Sequence, residues 1–130
     1  MVDPDPGQRQ RSGRHAEDAA EALLLSRGHR LVARNLRLGH LEVDMVSVDP
    51  ADGSLVLTEV KARRGGRHAP ELRVDRTKRR RLIRAATLLL ARPAFRNRAA
   101  RFDVVAVQLD DGGRPTDTRH LPRAFTADDG

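Results

Sequence analysis

Three apolar runs joined by very short links constrain the fold of this chain more than any other feature. The runs are RLVARNLRL, LEVDMVSV and SLVLTEVKA, and the links are Gly39-His40 and the turn sequence DPADG. Pro50 and Gly53 are typical of a tight turn, because Pro fixes one dihedral and Gly tolerates a positive φ. Links of this length join neighbouring antiparallel strands, so this segment predicts a three-stranded meander.

The second of these runs has apolar residues on both of its faces. By simple strand alternation, Val46 and Val48 share a face with Asp44, and Val43 and Met45 share the other face. A strand that is apolar on both faces belongs to a sheet that is covered on both sides. We therefore expect helices to pack on both faces of the sheet.

Two segments have the features of these helices. Residues 14–27 are rich in Ala and Leu and stop at Gly28, which predicts a first helix. Asp75 is a suitable N-cap for a second helix over residues 76–91, and Pro93 follows its end. The helices therefore flank the meander in the sequence, one before it and one after it.

The remaining elements complete the predicted fold. Residues 100–109 predict a fourth strand, and residues 118–125 predict a short edge strand. The third strand, second helix and fourth strand form a crossover unit, which predicts that these two strands are parallel. The fold class is α/β, with αβββαβ order and a mixed four- to five-stranded sheet with helices on both faces. We predict one domain over residues 13–125, with disordered tails at residues 1–12 and 126–130.

The charge of the chain favours a polyanionic partner. Lys and Arg total 25 against 18 Asp and Glu, which gives a net charge of +7. Nucleic acid is the first candidate for a partner of such charge and an anionic membrane the second, although an Arg-rich genome would also produce this composition. Ten cations are concentrated in the middle third of the chain: Arg63, Arg64, Arg67, Arg73, Arg76, Lys78, Arg79, Arg80, Arg81 and Arg84.

Several classes of protein are excluded or disfavoured by composition. The absence of Cys excludes disulfides, zinc ribbons and thiol nucleophiles. Three Phe, with no Tyr or Trp, argue against a single-strand binder that stacks bases on aromatic side chains. No signal peptide or membrane-spanning run is visible, so we expect a cytoplasmic location without membrane association.

A pair of acidic residues and a lysine lie on neighbouring strands. Glu59 and Lys61 are two residues apart on the third strand, so they share a face, and Asp44 lies near them if the meander pairs in simple register. Two carboxylates on rigid strands suit a hard cation such as Mg²⁺. Alone, a Glu-x-Lys triplet is more often a surface ion pair. The strand-borne Asp44 upstream and the basic helix downstream favour the metal site.

Two other polar positions, Lys78 and Glu17, have two interpretations each. Lys78 lies in line with Leu82 and points towards the sheet, unless its stem packs and its head is free. Glu17 early in the first helix is either a metal ligand or a group that complements the helix dipole. Glu42 is interpreted as a solvated charge. The five His residues lack metal-ligand spacing and are interpreted as surface or loop residues.

Six motifs taken together resemble a known family. They are GRHAEDAAEALLLSRGHRLVARN, LEVDMV, LTEVKAR, VDRTKRRRLIRAA, RFDVV and HLPRAF, and they span residues 13–125. In this order they resemble the YraN-type predicted endonucleases, which are related to Holliday junction resolvases and belong to the PD-(D/E)XK superfamily. The resemblance implies a restriction-endonuclease-like fold. It also implies a metal-dependent endonuclease that hydrolyses phosphodiester bonds in nucleic acid, with DNA favoured over RNA.

The resemblance assigns a role to each candidate residue. It implies a catalytic group of Glu17, Asp44, Glu59 and Lys61, in which the three carboxylates hold Mg²⁺ or Mn²⁺. The nucleic-acid-binding residues that it implies, together with the basic composition, are Arg63, Arg64, Lys78, Arg79, Arg80 and Arg81.

The chain also departs from the family pattern. Leu41 replaces a usual Gly before the Glu42–Asp44 motif, and His68-Ala69 replaces a usual Phe-Gly. Neither change removes a proposed ligand. Two other functions stay open, a nucleic-acid-binding module without cleavage and a protein–protein adaptor, and a homodimer is compatible with the sequence.

Overall fold

A five-stranded mixed sheet lies between two helices in the computed structural model, which describes residues 6–65 and 72–129. Side chains are described for residues 13–65 and 72–128. The strand order is β1-β2-β3-β4-β5, in which only the β3–β4 pair is parallel. The predicted α/β class, meander and parallel crossover are therefore confirmed. The elements are α1 Pro6–Ser26, β1 Arg30–Leu38, β2 Leu41–Asp49, β3 Ser54–Arg64, α2 Arg76–Leu90, β4 Ala100–Leu109 and β5 Pro115–Phe125.

Each face of the sheet is covered by one helix and has its own apolar cluster. Under α1 the buried residues are small or aliphatic: Ala16, Ala20, Leu24, Met45, Val105, Val107 and Leu109. Under α2 the cluster includes Val46, Val48, Leu55, Leu57, Leu82, Leu89, Phe102 and Phe125. The expectation that both faces are covered is confirmed. No helix in the described ranges has the length and apolar character needed to cross a membrane.

The N-terminal end of α2 was predicted correctly, and that of α1 was not. Asp75 caps α2, and its Oδ1 accepts a hydrogen bond from the Lys78 N–H at 2.9 Å, as predicted. The start of α1 was predicted wrongly, since the helix begins at Pro6 and Gly13 lies inside it. Pro is tolerated at the first helical position because the N–H that it lacks has no intrahelical partner there.

The last strand was also predicted too short. β5 covers Pro115–Phe125 and pairs antiparallel with β4 along nearly its whole length. Two prolines, Pro115 and Pro122, lie within it. Pro115 is the first residue of β5 and Pro122 lies at the register shift opposite Phe102 and Val104, and both are places where a strand tolerates proline.

Side-chain alternation inverts at one point in β1 and β2. Arg34 pairs with Met45, and both face α1, where Met45 is buried in the cluster beneath that helix. The next recorded pair, Leu36 with Val43, packs in the cluster under α2 instead. Asn35 lies between the two pairs and has a φ of 50°. The prediction that Val43 shares a face with Met45 is therefore wrong.

A charged network that was not predicted from the sequence is buried between β2, β4 and β5. Asp103 is fully buried and accepts hydrogen bonds from Arg101 Nη2 at 2.9 Å, His120 Nε2 at 2.7 Å and the Arg123 N–H at 3.1 Å. Arg101 also donates to two further carboxylates, those of Asp49 and Asp52, at 2.8 and 2.9 Å. The network thus joins three strands and the β2–β3 turn.

Two histidines belong to this network. His29 lies in the loop between α1 and β1, as predicted, although it is buried there, whereas the assignment of His120 to the surface or a loop is wrong because it lies on β5 with its side chain buried. His29 is only 4% exposed; its Nδ1 lies 2.9 Å from Ser47 Oγ, and its Nε2 lies 3.4 Å from Asp49 Oδ2. The His120 side chain is 3% exposed and contacts Asp103. Their partners come from other strands, distant in sequence, which residue spacing does not reveal.

Candidate functional site

Asp44 lies at the point where β2 separates from β3. The last recorded pair between these strands is Met45 with Thr58. Beyond this pair, Asp44 Oδ2 accepts a hydrogen bond from the Val60 N–H at 2.8 Å. The carboxylate therefore takes the place of a strand partner and is fixed beside Glu59.

Glu59 is the second carboxylate that the structure brings to this point. Its side chain is 15% exposed, and Lys78 Nζ lies 3.4 Å from its Oε2. Oε2 is buried, and the Lys78 ammonium is its charged partner. The position of Lys78 confirms that its side chain points towards the sheet.

The two carboxylates disfavour each other's ionised form. Burial and, after it, the charge of Asp44 together raise the pKa of Glu59 to about 7, against the opposing charges of Lys78 and Lys61. Burial also raises the pKa of Asp44, against the hydrogen bond from the Val60 N–H and the charge of Lys78. Two acids held this close in a poorly solvated place are stabilised by added positive charge.

Lys61 lies on the same strand face as Glu59 but has a different partner. Its Nζ donates a hydrogen bond to the carbonyl oxygen of Arg73, which connects β3 to the segment before α2. Two residues along a strand correspond to about 6–7 Å, so the ammonium is close to the carboxylate pair without hydrogen bonding to it. Lys61 is half-buried and is held at the border between the carboxylates and the basic segment.

Glu17 approaches from α1 but is already hydrogen-bonded. Its Oε2 accepts from Asn35 Nδ2 at 2.9 Å and from Arg34 Nη2 at 3.1 Å. Its charge contributes to the raised pKa of Asp44, which places it in the neighbourhood of the pair. Among the described residues, no group of three His, Asp or Glu side chains is arranged to hold a metal. The structure therefore brings together Asp44 and Glu59, whereas Glu17 would have to exchange partners to join them.

Arg34 is the residue near this site that the sequence did not single out. It forms ion pairs with three acids of α1: Glu17, Asp18 and Glu21, at 3.1, 2.8 and 3.5 Å. The only signal in the sequence was the clustering of these acids within one and a half helical turns. Glu42, on the neighbouring strand, is exposed, which agrees with its interpretation as a solvated charge.

The six basic residues predicted to contact nucleic acid fall into distinct groups. Arg63, Arg80 and Arg81 are exposed. Arg64 instead donates from Nε to the carbonyl oxygen of Asp111 at 2.8 Å, at the end of β4. Arg79 donates from Nη1 to the carbonyl oxygen of Val74 at 2.6 Å, and Lys78 pairs with Glu59. Half of the set therefore has contacts within the protein.

Several titrating groups of the fold and the site have opposite effects on stability. Burial lowers the pKa of His29 below 6.5, so its contribution is present above pH 6.5 and lost as the pH falls. The contribution of Glu59 to stability changes with pH in the opposite direction. Its pKa is raised from 4.5 to about 7 in the folded protein, so its protonation stabilises the fold as the pH falls through 7. Burial alone would raise the pKa of Asp103, but hydrogen bonds to His120 and Arg101 lower it, so its stabilisation is lost below pH 3.8.

We therefore expect the free energy of unfolding to fall steeply below about pH 4. Glu59→Gln removes a stabilising contribution that grows as the pH falls from about 7, so this variant should lose more stability than the parent, or gain less, between about pH 7 and pH 5. Urea unfolding at a series of pH values measures both profiles. Identical profiles for parent and variant would contradict the assignment.

Comparison with known proteins places the chain among relatives. The model of the Uncharacterised protein family UPF0102 matches residues 16–107. The chain belongs to this family. A UPF0102 protein of Symbiobacterium thermophilum is 43% identical over 105 residues, covering 80% of this chain and 87% of the relative. A UPF0102 protein of Nocardia farcinica is 39% identical over 120 residues, covering 92% of each chain.

A third UPF0102 relative, from Pelobacter propionicus, is 38% identical over 115 residues, covering 88% of this chain and 81% of its own. The resemblance drawn from the ordered motifs is thus confirmed at the level of the family. The segment matched by the UPF0102 model contains Glu17, Asp44, Glu59 and Lys61. The whole candidate site therefore lies within the region that the family shares.

Proposed function

We propose that this protein is a metal-dependent endonuclease that hydrolyses phosphodiester bonds in nucleic acid, with DNA favoured as substrate. The observation that carries the proposal is the convergence of Asp44 and Glu59 at the point where β2 leaves β3, where Glu59 Oε2 is buried and contacts the Lys78 ammonium at 3.4 Å. Two carboxylates held close together on rigid strands are suitable ligands for a hard divalent cation.

The two carboxylates fit Mg²⁺ or Mn²⁺ by chemistry as well as by position. The raised pKa of Glu59, about 7, reflects burial and the neighbouring charge of Asp44, both of which a cation would offset. When bound, the metal would polarise a phosphate oxygen and lower the pKa of a water molecule. Asp44 and Glu59 would hold it, and Glu17 would join them only after releasing Arg34 and Asn35.

The two lysines support this chemistry in different ways. Lys78 Nζ, 3.4 Å from Glu59 Oε2, favours the ionised carboxylate that a metal requires. Lys61 is held by the Arg73 carbonyl on the side of the strand that carries Glu59, where its ammonium is available to a phosphate oxygen. Cations at the point where negative charge develops stabilise the transition state of phosphodiester hydrolysis.

A second candidate function is a nucleic-acid-binding module without cleavage. The hydrogen bonds that Glu17 accepts from Arg34 and Asn35 favour the binding module, because they leave two carboxylates at the site rather than three. Both functions predict binding to nucleic acid that weakens with salt. Only the nuclease predicts products that require a divalent metal.

The test is incubation of the full chain with linear, flapped and four-way-junction DNA and with matched RNA, in Mg²⁺, Mn²⁺ or EDTA. Metal-dependent cleavage that is lost in Glu59→Gln supports the proposal. The exposed Asp117→Asn, on the edge strand β5, is the matched control and should cut like the parent. Binding of these substrates without any metal-dependent product would overturn the nuclease and favour the binding module.

Lys61→Arg is expected to lower cleavage by about 10²-fold, a loss of roughly 2.7 kcal/mol in barrier terms. The guanidinium is longer and planar, so it cannot reproduce the compact contact of the ammonium with the Arg73 carbonyl and a phosphate. Nucleic-acid affinity should barely change, because the charge is kept. Single-turnover cleavage and binding in EDTA separate the two effects, and parental cleavage by this variant would refute a special role for the lysine.

A further inference from the structure

A basic cleft lies beside the carboxylate pair, at the N-terminal end of α2. It has a volume of about 420 Å³ and is lined by Lys61, Arg73, Asp75, Arg76 and Arg79. Four of these residues are cations and one is an acid. Lys61 belongs both to this cleft and to the strand face of Glu59, so the two places adjoin.

The backbone that carries the cleft is fixed from two sides. Lys61 donates to the Arg73 carbonyl, and Arg79 Nη1 donates to the Val74 carbonyl at 2.6 Å. Val74 is itself 4% exposed and packs in the cluster under α2. The segment that presents Arg73 is therefore held in one arrangement.

Four cations and one carboxylate give the described lining of this cleft an excess of positive charge. Asp75 uses Oδ1 to cap the Lys78 N–H at 2.9 Å, so the acid is already hydrogen-bonded and the helix terminus is already capped. The exposed guanidiniums of Arg73 and Arg76 make no hydrogen bond or ion pair with the described part of the chain. Cations crowded around one cleft repel each other and are stabilised by an anion among them.

We propose that this cleft binds a single phosphate group of the substrate strand, next to the phosphate that the Asp44–Glu59 pair would engage. The inference rests on the proposed nuclease function and assigns to Arg73 and Arg76 a binding role that the sequence did not single out. Their planar forks pair with phosphate oxygens through two parallel hydrogen bonds. Lys61, about 6–7 Å along the strand from Glu59, lies between the two phosphates.

The lining of the cleft also limits what it recognises. It contains charged side chains and no aromatic ring on which a base would stack. Contacts confined to phosphate fix the position of a strand and convey no base sequence. The cleft therefore sets where the strand lies relative to the carboxylates, and it does so for any sequence.

The test compares two double variants that remove the same charge. Arg73→Gln/Arg76→Gln removes the cleft cations, and Arg92→Gln/Arg96→Gln removes two exposed cations just beyond the other end of α2, about 22 Å away along the helix. Affinity for a short DNA duplex is measured in EDTA over a range of salt concentrations. The cleft variant is expected to bind about tenfold more weakly, with a log–log salt slope smaller by about 2.

A second measurement uses inorganic phosphate alone as the probe. Saturable shifts of the Arg73 and Arg76 Nε–H resonances in the parent, absent in the cleft variant, support the site. Equal losses of DNA affinity in the two double variants, or no saturable phosphate shift, would overturn it. DNA binding is measured in EDTA and therefore needs no metal. A parent protein that binds DNA but never cuts it would refute the nuclease function and leave the phosphate site standing. Equal losses of DNA affinity in the two double variants would refute the phosphate site and leave the nuclease function standing. All four substitutions are at exposed positions, and thermal unfolding verifies the fold.

Discussion

Asp44→Asn is expected to abolish metal-dependent cleavage, by at least about 10³-fold or roughly 4 kcal/mol, while leaving the fold intact. The amide keeps an oxygen that accepts the Val60 N–H bond but removes a negative ligand charge from the site. It also removes the charge that raises the pKa of Glu59, so this pKa should fall below 7. The free energy of unfolding at about pH 8 should rise by about 1 kcal/mol, because a buried like-charge pair is relieved.

Three measurements verify this expectation: single-turnover cleavage, Mg²⁺ binding by calorimetry and urea unfolding. Asp117→Asn is the matched control, since Asp117 is an exposed carboxylate on the edge strand β5, and it should leave all three unchanged within about twofold or 0.5 kcal/mol. An Asp44→Asn protein that binds Mg²⁺ and cuts like the parent would remove Asp44 from the site. A loss of stability comparable to a core mutation would show that the carboxylate is structural.

Asp103→Asn is expected to have the largest effect on folding, about 3 kcal/mol of unfolding free energy and more than about 10 °C in Tm. Asp103 is fully buried, and its carboxylate compensates the Arg101 guanidinium and the His120 ring. An amide at this position would direct its N–H group at the N–H donors of Arg101 and His120. It would also leave the buried positive charge of Arg101 without the negative charge of the carboxylate. Cleavage per folded molecule should be unaffected, because the network is separate from the carboxylate pair.

Asp117→Asn provides the comparison on the neighbouring edge strand. Asp117 pairs with Arg119 at 3.4 Å, but both side chains are about 60% exposed. Exposed pairs contribute about 0–1 kcal/mol, so this variant should unfold almost like the parent. If the two variants differed by less than about 1 kcal/mol, the buried network would not be a determinant of stability.

The strands of the meander were predictable because short links and local patterns determine them. β1 was predicted with its observed ends, Arg30 and Leu38, and the Asp75 cap of α2 was read from residue type and position alone. The position of Lys78 followed from helical periodicity, which places it in line with the buried Leu82. These features depend on residues a few positions apart.

Other features were not predictable because they depend on contacts between distant residues. Alternation predicted Val43 on the face of Met45, and it failed where the side chains of β2 invert, beside the positive φ of 50° at Asn35 on the neighbouring strand. Asp103 and His120 lie on different strands, and the sequence around each of them does not indicate that its side chain is buried. The sequence likewise placed Glu17 near the site but did not show that Arg34 occupies it.

The inversion at Asn35 also affects whether a strand of another chain can pair with the edge of this sheet. Both outer strands are irregular: β1 has a register shift between Leu31 and Ala33 followed by the positive φ of Asn35, and β5 contains Pro122 and a positive φ at Arg123. An exposed edge recruits a foreign strand only where a regular row of backbone groups is available. Aggregation by edge-to-edge pairing is therefore discouraged on both sides of the sheet, and a homodimer of this protein would associate through side-chain surfaces rather than by extending the sheet.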